Sequence, residues 1–349
     1  MKTSFVSTAS VSQSLRSQLM RMQSELVSAN KESQTLTVAD RGLALGARTT
    51  QSISLSRDME RINGIIDQNG LISSRLTATQ NALAQIEEKA QAFLSTLTAG
   101  LAGDATEAVT LVDAKGTLDT LTSIMNTTFK GEHIFSGINT DVKPLNDYTG
   151  AGSPAKVAFD TSFQSFFGFT QSDPAAANIT AAQMTTFMDS VVAPQFLGAG
   201  WEANWSQASN QTITSRISLN ETVNTSVNAN GDGVRKLAMA ATAIYEMLSS
   251  PTISSAAKTA ATENAYTLVS EAIGDITTTR SGIGIVEERV TKATARLQTQ
   301  ADLFELTIGK MEGVDPYEAS TRVTTLLEQI ETSYALTARL QNLSLTKFL

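Results

Sequence analysis

From Leu55 to Leu97 one set of positions recurs at steps of three and four residues without a break. The set is Leu55, Met59, Ile62, Ile66, Asn69, Ile72, Leu76, Thr79, Leu83, Ile86, Ala90, Phe93 and Leu97, all apolar but for Asn69 and Thr79. That spacing places every member on one narrow stripe of an α-helix. A helix over about 47–98 would be roughly 75–80 Å long at 1.5 Å per residue. Globular domains seldom need a helix much beyond about 25 residues, so the pattern predicts a coiled-coil or bundle rod.

The C-terminal part answers with the same spacing. Ile283, Val286, Val290, Ala293, Leu297, Ala301, Phe304, Ile308 and Met311 form one stripe, which stops at GVDPYE. Gly313 is expected to close the helix in the left-handed conformation and Asp315 to cap the next one. Pro316 suits the first helical position, and Glu318 would complete a capping box. The second helix carries Val323, Leu327, Ile330, Tyr334, Leu340 and Leu343, then SLTKFL with Leu345, Phe348 and Leu349. So apolar an ending predicts a partner. At the other end, Val11, Leu15, Leu19, Met22, Leu26 and Ala29 alternate steps of four and three. The outer face of that segment is mainly Ser and Gln, which is easier to bury against neighbours than the Lys and Glu of a solvated face.

Between these ends the texture varies. ADRGLALG (39–46) separates the N-terminal stripe from the long one, and a third helix carries Leu111, Ala114, Leu118, Leu121 and Met125. From about Gly131 the chain becomes rich in turns. Four of its six prolines and eight of its thirteen phenylalanines fall between residues 135 and 196, and Trp201 and Trp205 follow. Aromatic runs such as KVAFD and FFGFT, set off by Gly, Pro and Asn, are expected to be strands of a small inserted domain ending near Asn230. Helical stripes resume with Val234, Leu237, Ala241, Ile244 and Leu248, then Ala257, Ala261, Ala265, Leu268, Ala272 and Ile276. Gly282-Ile283-Gly284 is expected to be a hinge before the C-terminal pair.

The predicted fold is therefore mainly α. Both chain ends form a long-helix coiled-coil or bundle rod, and a small β-rich domain is inserted into it. Residues 1–40 and 313–349 are terminal coiled-coil assembly segments, 41–140 and 231–312 the helical rod, and 141–230 the variable insert. Little contact is expected between the insert and either terminus, and the insert is expected to be dispensable for assembly.

Composition excludes much of the chemistry a chain this size could host. There is no cysteine, so disulfides and thiolate metal sites cannot form, and His133 is the single histidine. No GxxxxGK[ST], GxSxG or HExxH occurs, and the glycines at 282 and 284 continue into Glu287 where a dinucleotide fingerprint needs a third glycine. No catalytic residue, cofactor or metal is predicted. A net charge of −8 argues against nucleic acid or an anionic membrane as the main partner. The longest apolar stretch, 237–248, contains Glu246 and is too short to span a bilayer. The N-terminal residues lack an apolar core of signal-peptide length.

Three stretches at the joints carry a resemblance to known proteins: GEHIFSGINTDVKPL (131–145), RSGIGIVEERV (280–290) and SYALTARLQNLSLTKFL (333–349). With the nested helical plan they resemble the flagellin-like proteins of the bacterial flagellum and, within them, the hook-associated members of the hook–filament junction. The stretch VSANKESQTLTVADRGLALG lacks the Ser-Gly-Leu-Arg-Ile signature of typical flagellins, which weakens the filament reading more than the junction reading. The resemblance implies a structural, non-catalytic protein outside the cell, exported by the flagellar secretion system. Its implied partners are copies of itself in a ring, the preceding hook-associated protein, flagellin and a flagellar export chaperone. Two other readings stay open, a divergent flagellin and a coiled-coil signalling module. The candidate assembly interface is Val11, Leu15, Leu19, Met22 and Leu26 with Val323, Leu327, Ile330, Tyr334, Leu340, Leu343, Leu345, Phe348 and Leu349.

Overall fold

The three-and-four spacing does build long helices. In the computed structural model, which describes the backbone of residues 8–345 and the side chains of 10–339, helix α3 (Thr49–Ala102) has 54 residues and α10 (Ser255–Glu312) has 58. The other elements, in chain order, are α1 (Thr8–Thr35), α2 (Arg41–Leu45), α4 (Glu107–Met125), β1 (Thr128–Phe129), β2 (Glu132–His133), α5 (Pro154–Phe167), α6 (Ala181–Phe187), α7 (Ala193–Leu197), α8 (Gly200–Asn204), β3 (Thr214–Ser218), β4 (Glu221–Asn224), α9 (Asp232–Ser249) and α11 (Pro316–Leu345). The mainly helical class, with long helices from both chain ends and an inserted two-stranded sheet, is as expected.

The chain divides into two compact units. One joins Met1–Gly64 to Leu297–Leu349, and the other is Ile65–Arg296. In the second unit α3 and α10 run antiparallel: the Gln80 amide donates to the carbonyl of Arg280 at 2.7 Å, and Thr77 donates to Glu287 at 3.4 Å. The stripe from Ile72 to Leu97 is buried here, as are Ala114, Leu118, Leu121 and Met125 of α4 and Val234, Leu237, Ala241 and Ile244 of α9. Helix α10 passes through Gly282 and Gly284 without interruption, so the hinge expected there is absent. Two helical glycines cost about 1 kcal/mol each against alanine. Burial of Ile283, Val290 and Ala293 on the same stretch offsets that cost.

The insert differs from expectation in where its strands lie. KVAFD and the phenylalanines of FFGFT as far as Phe167 are helical, in α5. Ser153 caps that helix by accepting the amide of Lys156, Pro154 takes its first turn, and Gly168 ends it at φ 82°. Phe159, Phe163 and Phe167 repeat every four residues, which aims them at one side, and Phe159 and Phe163 are fully buried. They share one continuous core with Phe187, Phe196, Trp201 and Trp205 and with the inner faces of α4 and α9. The β3–β4 hairpin, with a bulge between Arg216 and Ser218, rests on both long helices. The Asn69 amide donates to the carbonyl of Ile217 at 2.9 Å, and Glu221 at the turn takes Arg289 at 3.0 Å and Arg296 at 3.3 Å.

Candidate assembly surface

In the first unit α1 and α11 lie side by side in opposite directions. The Gln23 amide donates to the Tyr334 hydroxyl at 2.9 Å, and nine residues later on α1 and twelve earlier on α11 Arg322 reaches Glu32 at 3.1 Å. Helix α11 begins as its sequence demands. The Asp315 carboxylate accepts the amides of Tyr317 at 2.8 Å and Glu318 at 3.4 Å, with Pro316 in the first turn. Two details differ. The Glu318 carboxylate pairs with Arg322 at 2.8 Å rather than closing a capping box. Gly313 is not left-handed. It is needed instead because a Cβ there would lie 2.4 Å from the carbonyl oxygen of Gly309.

The α1 stripe is placed as its spacing predicts. Met22 and Ala29 are buried, while Val11, Leu15, Leu19 and Leu26 are half-buried. On α11 the seam has a different composition. Ala319, Leu326 and Ile330 are buried and Val323, Ser333 and Thr337 half-buried, whereas Leu327 is 45% and Tyr334 52% exposed. Leu326 and Leu327 are neighbours about 100° apart on the helix, so only one can enter the seam. The small residues at 319, 333 and 337 show which one it is, but they carry little apolar signal of their own. Leu340, Leu343 and Leu345 lie in the helix beyond the described side chains, and Phe348 and Leu349 lie outside the described residues.

Pairing uses one stripe of each helix and leaves large apolar side chains outside it. Met20 (63% exposed) and Val27 (71%) stand outward on α1, and Tyr317, Leu327 and Leu336 do so on α11, while Tyr334 is half-exposed with its hydroxyl held by Gln23. Burying a leucine or phenylalanine fully is worth about 1.5–3 kcal/mol, so these side chains have much to gain from a partner surface.

The second unit holds one buried polar cluster that the stripes did not reveal. The Tyr148 hydroxyl donates to Glu246 Oε1 at 2.8 Å, and Lys156 Nζ sits 2.8 and 3.0 Å from the two carboxylate oxygens. Burial pushes the Glu246 carboxyl above its usual range, although the Lys156 ammonium pulls the other way. Burial, reinforced by Glu246, likewise pushes the Tyr148 hydroxyl up. The charge in the middle of the apolar run 237–248 was the available signal. Tyr148 stacks on Trp205 and Trp205 on Trp201, so the cluster pins the insert to α9. His133 Nδ1–H donates to the carbonyl of Asn126 at 3.0 Å, a structural contact. Among the described residues no group of acidic, Cys or His side chains is placed to hold a metal, and no helix is long and apolar enough to cross a membrane.

These features have counterparts in known proteins. Residues 6–140 match the bacterial flagellin N-terminal helical region, and residues 266–349 match the bacterial flagellin C-terminal helical region. A solved structure described as a flagellar hook-associated protein from Vibrio parahaemolyticus is similar with a TM-score of 0.52. The match covers 76% of this chain and 97% of that one at 11% identity, a likeness of fold. No curated protein matches the chain. Members of the flagellin family are structural proteins rather than enzymes. With that family's two helical regions at its two ends, the chain is a flagellin-like protein, a structural component of the bacterial flagellum.

Proposed function

We propose that this protein joins the hook to the flagellin filament, with the terminal helices making the subunit contacts. The observation that carries the reading is the α1–α11 pair, which buries one seam and still presents Met20, Val27, Leu327 and Leu336 outward. A helix pair of this kind has only one stripe to bury within its own subunit, so stacking among neighbours completes its core. The division of labour we propose assigns 1–40 and 313–349 to assembly, 41–140 and 231–312 to the rod, and 141–230 to a variable insert. The partners are then copies of itself in a ring, the preceding hook-associated protein on one side, flagellin on the other, and an export chaperone before assembly. Its place is outside the cell, reached through the flagellar secretion system. The junction is favoured over the filament by the stretch VSANKESQTLTVADRGLALG, which lacks the Ser-Gly-Leu-Arg-Ile signature of typical flagellins.

Immunogold labelling of purified flagella separates the two. The junction reading expects label at the base of the filament only, and a deletion strain that secretes unpolymerised flagellin. Label along the whole filament would make the chain a filament subunit and overturn the junction role.

A further inference from the structure

The seam between α1 and α11 is poor at choosing its own register. Its deepest positions are Ala29 and Ala319, each 1% exposed or less, and its margins include Ser333 and Thr337. Small and uncharged contacts of this kind distinguish weakly between pairings one heptad apart. Something else must fix the pairing.

The two chain crossings at the base of the pair meet the need. Val38 N–H donates to the carbonyl of Glu312 at 2.9 Å, and Val314 N–H donates to the carbonyl of Leu36 at 3.0 Å, so Thr37 and Gly313 form an antiparallel bridge. Leu36 takes φ 54°, a left-handed conformation that is uncommon for leucine. Two carboxylates tie the same crossings. Glu32 accepts the Ala39 amide at 3.1 Å on one oxygen and Arg322 at 3.1 Å on the other. Glu312, 1% exposed, takes the Ser52 hydroxyl on Oε1, and Arg41 Nε lies 2.9 Å from Oε2, at ion-pair distance though not aligned as a hydrogen bond. Each carboxylate thus binds an N-terminal segment to a C-terminal one.

We propose that residues 36–41 and 312–314, with Glu32 and Arg322, form a clasp that sets the register of α1 against α11. The clasp decides which side chains enter the seam and which face a neighbour. A one-residue slip breaks both bridge bonds and carries Arg322 away from Glu32. The clasp works within one subunit, whether that subunit sits at the junction or in the filament.

The test is distance measurement between paired nitroxide labels on the full-length monomer, where the absence of native cysteine leaves no background. Labels at Ser14→Cys and Glu331→Cys are offset along the pair, so an axial slip of about 10 Å per heptad changes their separation. Parent protein is expected to give one narrow distance. Glu312→Gln is expected to add a second population, while labels at Asp119→Cys and Glu263→Cys in the other unit stay narrow. A single unchanged distance in Glu312→Gln overturns the clasp. Should Glu312→Gln broaden both label pairs, Arg322→Gln, at a half-exposed side chain, decides by the same criterion.

Discussion

Gly137 shows how one residue in the turn 131–145 constrains the second unit. Its φ is 65°, and a Cβ there would meet the carbonyl oxygens of Ser209 at 2.4 Å and Gln211 at 2.5 Å. Gly137→Ala is expected to destabilise the protein by about 2 kcal/mol or more, through strain and displaced backbone together. A urea midpoint unchanged from the parent would contradict that. Glu246 makes the opposite kind of demand. Its folded carboxyl titrates above the usual 4.5, mainly because it is buried, so it holds its proton more readily folded than unfolded. Its contribution therefore favours the fold increasingly as pH falls through the window above 4.5 and is lost as pH rises. Denaturation of parent and Glu246→Gln across pH 4–8 checks the sign: the difference should move in the parent's favour on acidification. Neither site was legible as a contact in the sequence. The glycine stood in a visible turn, but what it approaches comes from more than 70 residues away.

Helices were the most legible part of the chain, because a three-and-four spacing sustained over forty residues has no other regular solution. Where reading went astray, packing overrode a local signal. FFGFT is rich in strand formers, yet Phe159, Phe163 and Phe167 stand four apart and follow a Ser-Pro start, a helical signature hidden by the propensity of phenylalanine. Gly282 and Gly284 read as a break, but the side chains around them are buried on helical spacing and carry α10 through. Gly282 has open space where its Cβ would be. Gly282→Ala is accordingly expected to stabilise the protein by about 1 kcal/mol, the helix-interior difference between the two residues. A thermal midpoint that falls would mean that α10 needs a bend at this point.

Two nested halves flanking an insert were visible in the order of stripes, as was the cap at Asp315. How the insert is held was not visible, because core shared between distant segments leaves no periodic trace. Phe159, Phe187, Phe196 and Trp201 belong to the same core as Leu121 and Ile244. Replacing residues 150–225 by a short Gly/Ser linker is therefore expected to expose the inner faces of α4 and α9 and to lower the thermal midpoint sharply. A linker variant as stable as the parent would contradict that; whether it still assembles tests the insert's dispensability for assembly separately. The α1 stripe lines the seam with α11, while Leu327 and Leu336 face outward, the side on which we propose that a neighbouring subunit meets them. That outward face is the centre of the account, and it can be tested directly. Leu327→Asp with Leu336→Asp puts two carboxylates on a surface exposed in the subunit, so thermal stability and helicity should match the parent. The decisive measurement is filament growth on isolated hooks supplied with purified protein and flagellin. The parent is expected to support growth and the double variant is not; growth by the variant at the parent's rate would contradict the outward face as the subunit contact.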